Sequence, residues 1–189
     1  MRHKYETRGI ILARSPAGEA NAYVTVLSPE LGLVRARAQG LRRPGAKLAA
    51  ALVTLAESEL TLVRGKEGWR LTGAVLVENW FVRLASTSAR ERAARVIGLV
   101  LRLVGGDAPD YELYVVVRGF LEGLSVRAED AHDSLEILAA LYVLATLGLD
   151  TGTSPREEGL FSDEEVDSVA ADRAARVARI NAGIAASGL

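Results

Sequence analysis

The sequence predicts an α+β protein in which a five-stranded β barrel is followed by an all-α domain. Two observations support this fold class. Residues 1–80 show the two-residue apolar alternation of strands, whereas apolar residues from 81 onward recur at helical spacing. The charge changes at the same place: residues 1–80 carry twelve Lys and Arg against seven Asp and Glu, and residues 81–189 carry eleven against seventeen. We therefore expect one domain over 1–80 and a helical domain over 81–189.

Five segments of the first part have strand character and are bounded by turn residues. They are TRGIILARS, NAYVTVLSPELG, LVRARAQG, ESELTLVRGKEG and WRLTGAVLVENW. An apolar insert, KLAAALVTLA, lies between the third and fourth segments and is compatible with a helix. Five short strands with such an insert fit a small closed Greek-key barrel better than an open sheet.

The second part contains four predicted helices. The first three are STSARERAARVIGLVLRLVGG, DAPDYELYVVVRGFLEGL and DSLEILAALYVLATLG, and the fourth runs from about Ser162 to Ser187. The segment LDTGTSPREEGLFSDEE is predicted to be a surface loop, with Ser162 or Asp163 capping the last helix. One buried stripe of that helix is expected to hold Val166, Val169, Ala170, Val177, Ile180 and Ile184.

Composition excludes several classes of protein. The chain has no cysteine, which removes disulfides, thiolate zinc sites and cysteine nucleophiles, and fits a cytoplasmic protein. The first residues lack an apolar core of signal-peptide length, and the apolar run VIGLVLRLVGG is interrupted by Arg102. Neither export nor a membrane anchor is expected.

Groups that could carry catalysis are sparse. His3 and His132 are both predicted to be solvated surface residues. The acids Asp163, Glu164, Glu165 and Asp167 could hold a divalent cation, but a favourable interaction with the dipole of the last helix is the better explanation. No enzymatic activity, metal or cofactor is expected.

Positive charge is concentrated in ARAQGLRRPGAKLAAAL, residues 36–52, which contains four cations and no acid. A cationic surface that follows phosphates is the first requirement for binding single-stranded nucleic acid. Arg35 and Arg37 share one face of a strand, and Arg42, Arg43 and Lys47 lie on the loop that leaves it. Arg14, Arg64, Lys66 and Arg70 are expected to extend this track. A solvated edge that discourages aggregation is the alternative interpretation of these cations.

Aromatic side chains for base stacking are fewer. Those available in the barrel are Tyr5, Tyr23, Trp69 and Trp80. Each can equally belong to the core of so small a barrel.

The order of these features resembles one family. The run YETRGIILARSPAGEANAYVTVLSPELGLVRARAQGLRRPGAKLAAAL, continued by ESELTLVRGKEGWRL, is similar to the N-terminal barrel of RecO, the bacterial recombination mediator of the RecF pathway. The resemblance rests on a first strand ending in ILAR, a GEAN turn, the strand VTVLSPELGLVRARAQG and an Arg-Arg-Pro loop followed by Lys47.

The resemblance implies an OB-fold domain that binds single- and double-stranded DNA, followed by a helical domain. It also implies strand annealing, help in loading the recombinase, and two partners: a RecR-like protein and the acidic tail of single-strand-binding protein. No nucleotide and no covalent chemistry are implied. Many relatives have a four-cysteine zinc module where this chain has LDTGTSPREEGLFSDEE, so zinc is not expected. Gly45 and Ala46 stand where the family often has a cation and a Ser, which would thin the phosphate contacts.

The sequence is compatible with two other functions. A protein-interaction scaffold without nucleic-acid binding would present an apolar groove in the helical domain, with Arg118 or Arg127 on its rim. An RNA-binding barrel without annealing activity is the other, because one fold serves many ligands.

Overall fold

The structure, a computed structural model, describes residues 3–42, 45–106, 108–152 and 160–188. The chain forms two compact units. Unit 1 comprises Met1–Arg83 and Gly106–Tyr114, and unit 2 comprises Leu84–Gly105 and Val115–Leu189.

Unit 1 contains the closed five-stranded barrel. Its strands are β1 (Lys4–Ala17), β2 (Asn21–Ser28), β3 (Gly32–Ala38), β4 (Ala56–Gly65) and β5 (Gly68–Asn79). They follow one another around the barrel in the order β1-β2-β3-β5-β4, and β4 pairs back onto β1. All neighbours are antiparallel except β3 and β5, which run parallel. This is the five-stranded Greek-key arrangement of an OB fold, and the predicted barrel is confirmed.

Alternation along β2 and β3 builds the barrel core. Ala22, Val24 and Val26 are buried on β2, and on β3 the buried alternate positions are Val34, Ala36 and Ala38. Because successive side chains of a strand point to opposite faces, the residues between these positions face away from the core. That face of β3 carries Arg35 and Arg37.

The insert between β3 and β4 is less helical than its composition indicates. It forms a single 3₁₀ turn, Ala50–Leu52, which packs against β4 and β5. Leu52 is completely buried, and the Ser58 hydroxyl donates a hydrogen bond to the carbonyl of Ala51 at 2.6 Å. Leu52 thereby becomes part of the barrel core.

A buried carboxylate joins three parts of unit 1. Glu57 of β4 is 1% exposed, and it accepts hydrogen bonds from Trp80 Nε1 at 3.1 Å and from the Tyr114 hydroxyl at 2.9 Å. Trp80 begins the short helix α1 (Trp80–Arg83). Arg8 Nη1 lies 4.0 Å from the same carboxylate. A buried charge is stable only when it is hydrogen-bonded and paired in this way.

Gly32 is required where the segment around Ala108 meets the barrel. Its φ is +68°, a conformation that favours glycine, and a Cβ there would lie 1.8 Å from the carbonyl oxygen of Ala108. Any side chain at this position would push the two backbones apart.

The predicted helices are α2 (Thr87–Leu103), α3 (Tyr111–Val126), α4 (His132–Thr146) and α5 (Asp163–Ala186). The side chain of Ser86 caps α2 by accepting from Ala89 N. Ser162 caps α5 in the same way through Glu165 N, as one of the two predicted caps. Part of the predicted surface loop before α5, residues 153–159, lies outside the described residues. None of the helices in the described part of the chain has the length and apolar content needed to cross a bilayer.

Two predictions for unit 2 are wrong. His132 is 3% exposed rather than solvated, and its Nε2 lies 3.1 Å from the carbonyl oxygen of Arg127, because the chain turns back there to start α4. Ala170 is exposed, although Val166 and Val169 are buried. Asp172 has non-helical angles (φ −132°, ψ 23°), which break the helical phase, so Gly183 is buried beyond it while Val177, Ile180 and Ile184 are half-buried.

Candidate nucleic-acid interface

The outer face of the barrel carries a row of residues that runs across neighbouring strands. Tyr23 of β2 is the register partner of Arg37, and Arg37 is the parallel partner of Arg70 on β5. Directly paired residues share one face of a sheet, and neighbouring strands lie about 4.8 Å apart. The row therefore places two guanidinium groups side by side where β3 and β5 close the barrel.

This row opens into a groove of about 830 Å³ beside the β4–β5 turn. We call it the cationic groove; its lining residues are Arg37, Gln39, Val63, Arg64, Gly65, Lys66, Glu67, Gly68, Trp69 and Arg70. Four of the predicted site residues are thereby brought together: Arg37, Arg64, Lys66 and Arg70. Lys66 and Glu67 form a two-residue turn between the paired Gly65 and Gly68.

Trp69 lines the cationic groove, and Tyr5 contacts the Trp69 ring. The Cζ of Arg64 lies 5.2 Å from the centroid of the Trp69 ring, and Tyr5 meets that ring edge-on at 5.0 Å between centroids. On the outer face, Arg35 Cζ lies 4.1 Å over the ring of Tyr23. Both cations are thereby held against an aromatic face. Trp80, in contrast, is 1% exposed and belongs to the core.

The other predicted cations lie in different places. Arg35 follows Arg37 on the same face of β3 and is exposed. Arg42 is directed to the β1–β2 turn, where its Nη1 donates to the carbonyl of Gly18 at 2.8 Å. Lys47 is exposed in the segment before the 3₁₀ turn, and Arg43 lies outside the described residues.

Arg14 is on the opposite side of β1 from this row. The register pairs it with Val24, whose side chain is buried, whereas Tyr23 pairs with Ser15. Arg14 itself is exposed at its end of the barrel.

Few carboxylates approach these cations. Within the described residues, no carboxylate oxygen lies within 4.0 Å of a charged nitrogen of Arg35, Arg37, Arg42, Lys47 or Arg70. The Nε of Arg37 is buried and has no hydrogen-bond acceptor in that part of the chain. In the described part of the chain, the charges of these five side chains are therefore not neutralised by ion pairs.

The arginines of unit 2 are arranged differently. Arg127 donates to Asp163 at 2.5 Å and to the Phe161 carbonyl at 2.6 Å, and Arg118 pairs with Glu122 at 3.2 Å. Both residues proposed for the basic rim of a scaffold groove are thus paired within the unit. Asp163 interacts with Arg127 as well as standing in the first turn of α5. The described residues contain no group of three or more His, Cys, Asp or Glu side chains arranged to hold a metal ion.

Sequence reasoning missed two features of the groove. Glu67 places a carboxylate among the four cations, at the tip of the β4–β5 turn. The pairing of Arg37 with Arg70 depends on the parallel closure of the barrel and left no local signal in either strand.

Fold and site together define a class: a protein with an OB-fold barrel whose outer face carries a cationic groove next to aromatic residues. The family model that matches the chain is described as recombination protein O, N-terminal, and it matches residues 1–80. The chain belongs to the RecO family, and the resemblance seen in the sequence is confirmed.

Relatives whose similarity extends beyond the barrel residues support the same assignment. A DNA repair protein RecO of Synechococcus sp. is 32% identical over 167 residues, covering 83% of this chain and 57% of the relative. One from Thermobifida fusca is 30% identical over 82% of this chain and 62% of its own length. A DNA repair protein RecO of Dehalococcoides mccartyi is 27% identical over 65% of this chain and 48% of its own length. The chain spans about half the length of the curated relatives it matches.

Proposed function

We propose that this chain is a DNA repair and recombination mediator that binds single- and double-stranded DNA through the outer face of its barrel. The observation that carries the proposal is the cationic groove, where Arg37, Arg64, Lys66 and Arg70 converge beside Trp69. Phosphates supply most of the affinity in such binding, and stacking on aromatic faces adds to it. Family membership supports DNA as the polymer.

The row across the strands supports a nucleic-acid backbone as the ligand. Tyr23, Arg37 and Arg70 are register partners on three consecutive strands, so a chain crossing them perpendicular to the strand direction would meet one aromatic ring and then two cations. None of the three is engaged by a carboxylate in the described residues. Binding of this kind reads backbone and base faces, so we expect little sequence preference.

A fluorescence anisotropy titration with a labelled single-stranded oligonucleotide tests the proposal. Each neutralised phosphate releases counterions, so log affinity should fall with log salt at a slope of about −0.7 per phosphate contact. Binding at low salt that weakens along such a slope supports it. Absence of binding at low salt contradicts it and favours a protein-interaction scaffold.

The mediator activity is tested separately from binding. We propose that the chain anneals complementary strands and helps to load the recombinase without covalent chemistry, and that a RecR-like protein and the acidic tail of single-strand-binding protein are its partners. An annealing assay with complementary oligonucleotides coated by single-strand-binding protein measures the annealing activity. Binding without acceleration of annealing would leave a DNA-binding barrel and remove the mediator role.

RNA remains the alternative polymer. An OB fold accepts either nucleic acid, and nothing in the groove selects a deoxyribose over a ribose. Competition between DNA and RNA oligonucleotides of the same sequence decides between them. We expect DNA to compete at least as well as RNA.

A further inference from the structure

The positive charge of the cationic groove is concentrated at Arg37 and Arg70, which we call the arginine pair. The two residues are register partners on the outward face of β3 and β5, and paired strands lie about 4.8 Å apart. Both side chains are half-buried, and among the described residues neither has a carboxylate oxygen within 4.0 Å. Partial burial reduces the screening of their charges by water and salt.

The other cations that line the groove are balanced or engaged. Lys66 shares the two-residue β4–β5 turn with Glu67, so the charges of that turn cancel. Arg64 lies against the ring of Trp69, with its Cζ 5.2 Å from the ring centroid. Within the part of the chain that the structure describes, the arginine pair is therefore where two positive charges of the groove adjoin without an acid beside them.

The neighbours of the arginine pair on the adjacent strands are uncharged. Tyr23 of β2 is the register partner of Arg37, and Val63 of β4 is the register partner of Arg70. Each nucleotide of a strand adds one phosphate, so a backbone lying along this row would meet positive charge only between an aromatic and an aliphatic side chain. Charge concentrated at one point of the row favours a single anion that carries more than one negative charge.

One donor of the arginine pair has no acceptor in the protein. The Nε of Arg37 is buried and lacks a hydrogen-bond partner among the described residues. Buried polar atoms of native proteins are nearly always hydrogen-bonded, so an atom of this kind points to water, an ion or a ligand as its partner. A guanidinium presents its nitrogens as a fork that fits two oxygens of one phosphate. Arg37 lines the groove, from which such an anion can approach.

We propose that the arginine pair binds the terminal phosphate of a nucleic-acid strand in preference to the phosphodiesters within the strand. This inference rests on the proposed function, because it specifies which phosphate the groove holds most tightly. A terminal phosphate monoester carries about −1.5 to −2 charges at pH 7 and has three acceptor oxygens. A phosphodiester carries a single charge and has fewer free oxygens. Two adjoining guanidinium groups therefore gain more hydrogen bonds and more attraction from the end of a strand.

Anisotropy titrations with one internally labelled oligonucleotide test the inference. The oligonucleotide is prepared with hydroxyl ends, with a 5′-phosphate or with a 3′-phosphate, and the last two forms identify which end is bound. At about 0.1 M salt, at least one phosphorylated form should bind roughly five- to tenfold more tightly than the hydroxyl form. Equal affinities of all three forms overturn the inference and leave the proposed function standing. Absence of binding by every form contradicts both.

The double variant Arg37→Lys and Arg70→Lys separates recognition of the strand end from general attraction of phosphates. It keeps both positive charges but removes the guanidinium forks, so the preference for the phosphorylated end should fall below about twofold. The ratio of the two affinities is the readout. Arg102→Lys, the same change at an exposed residue of α2, is the control and should keep the full preference. A preference that the double variant retains, or that the control also loses, overturns the inference.

An NMR measurement on the unchanged chain does not depend on a variant folding. Deoxyadenosine 5′-monophosphate is the probe with a terminal phosphate, and deoxyadenosine is the matched probe without it. Because the Nε–H of Arg37 would gain an acceptor, the mononucleotide should shift its proton–nitrogen signal and the nucleoside should not. No shift at roughly 10 mM mononucleotide, above the millimolar Kd expected for one bound phosphate, overturns the inference.

Discussion

Arg37 and Arg70 are side-by-side partners in the parallel pairing of β3 with β5. Two like charges on adjacent strands repel each other, and each faces away from the core because Ala36 and Ala38 on one strand and Leu71 on the other fill the inside. Two like charges held side by side, with no ion-pair partner for either among the described residues, are typical of a site for an anion. We therefore expect replacement of this pair to affect nucleic-acid binding.

Replacing both arginines with alanine should weaken binding of any oligonucleotide by roughly tenfold at low salt and make the salt slope shallower by about 1.4. The reason is the loss of two phosphate contacts that carry no sequence information. Anisotropy titrations at several salt concentrations measure both quantities. Arg102→Ala, which removes an exposed cation from α2 of unit 2, is the control and should change neither. Equal effects of the double variant and the control would exclude the groove.

The loop cations make a separate prediction. The triple change of Arg42, Arg43 and Lys47 to alanine should weaken binding and reduce the salt slope on every sequence tested. Because Arg42 also holds the carbonyl of Gly18, the melting temperature is measured alongside. A folded triple variant with unchanged affinity would remove this loop from the interface.

Glu67 leads to a prediction of tighter binding. It lines the cationic groove at the tip of the β4–β5 turn, where its carboxylate repels an approaching phosphate. Glu67→Gln should raise the affinity about two- to fivefold at low salt, and the gain should fade as salt screens the charge. Anisotropy titration detects this. Glu129→Gln, an exposed acid of unit 2, changes the net charge equally and should have no effect. A loss of affinity in Glu67→Gln would contradict a phosphate path through the groove.

The ionisation of Asp150 should make the stability of the fold depend on pH. Hydrogen bonds from Arg179, at 2.5 Å, hold the pKa of Asp150 below its usual range. A carboxyl whose pKa is lowered on folding adds stability above its unfolded pKa of about 3.9, and that stability is lost as pH falls toward the folded pKa. Asp150→Asn should therefore be less stable than the unchanged chain at pH 7, and the gap should narrow below about pH 4.

Urea unfolding at pH 7, 4 and 3 measures this gap. Asp167→Asn replaces an exposed carboxylate on α5 and serves as the control, with the same stability as the unchanged chain at each pH. A gap for Asp150→Asn that stays constant on acidification would mean that its effect does not come from ionisation.

Local sequence patterns were sufficient for the barrel strands and the helices but not for the details that depend on distant packing. Alternation in NAYVTVLS and LVRARAQG directly reflects one buried face, so the strands were predictable. The partner of Arg37 was not, since it depends on which strand closes the barrel. His132 has a polar side chain in a polar segment, and its burial comes from the return of the chain past Arg127. The exposure of Ala170 follows from the break at Asp172, which a periodic pattern does not reveal.

The hydrogen bonds that Trp80 and Tyr114 donate to Glu57 have a practical consequence for cutting this chain into fragments. A fragment ending after β5 would lose the indole of Trp80 and the phenol of Tyr114, the two donors that satisfy a carboxylate sealed in the barrel wall. Such a fragment would leave a buried carboxylate without these two hydrogen bonds and should refold poorly. A fragment designed to contain the barrel should therefore extend through residue 114. A shorter fragment should carry an apolar side chain in place of Glu57.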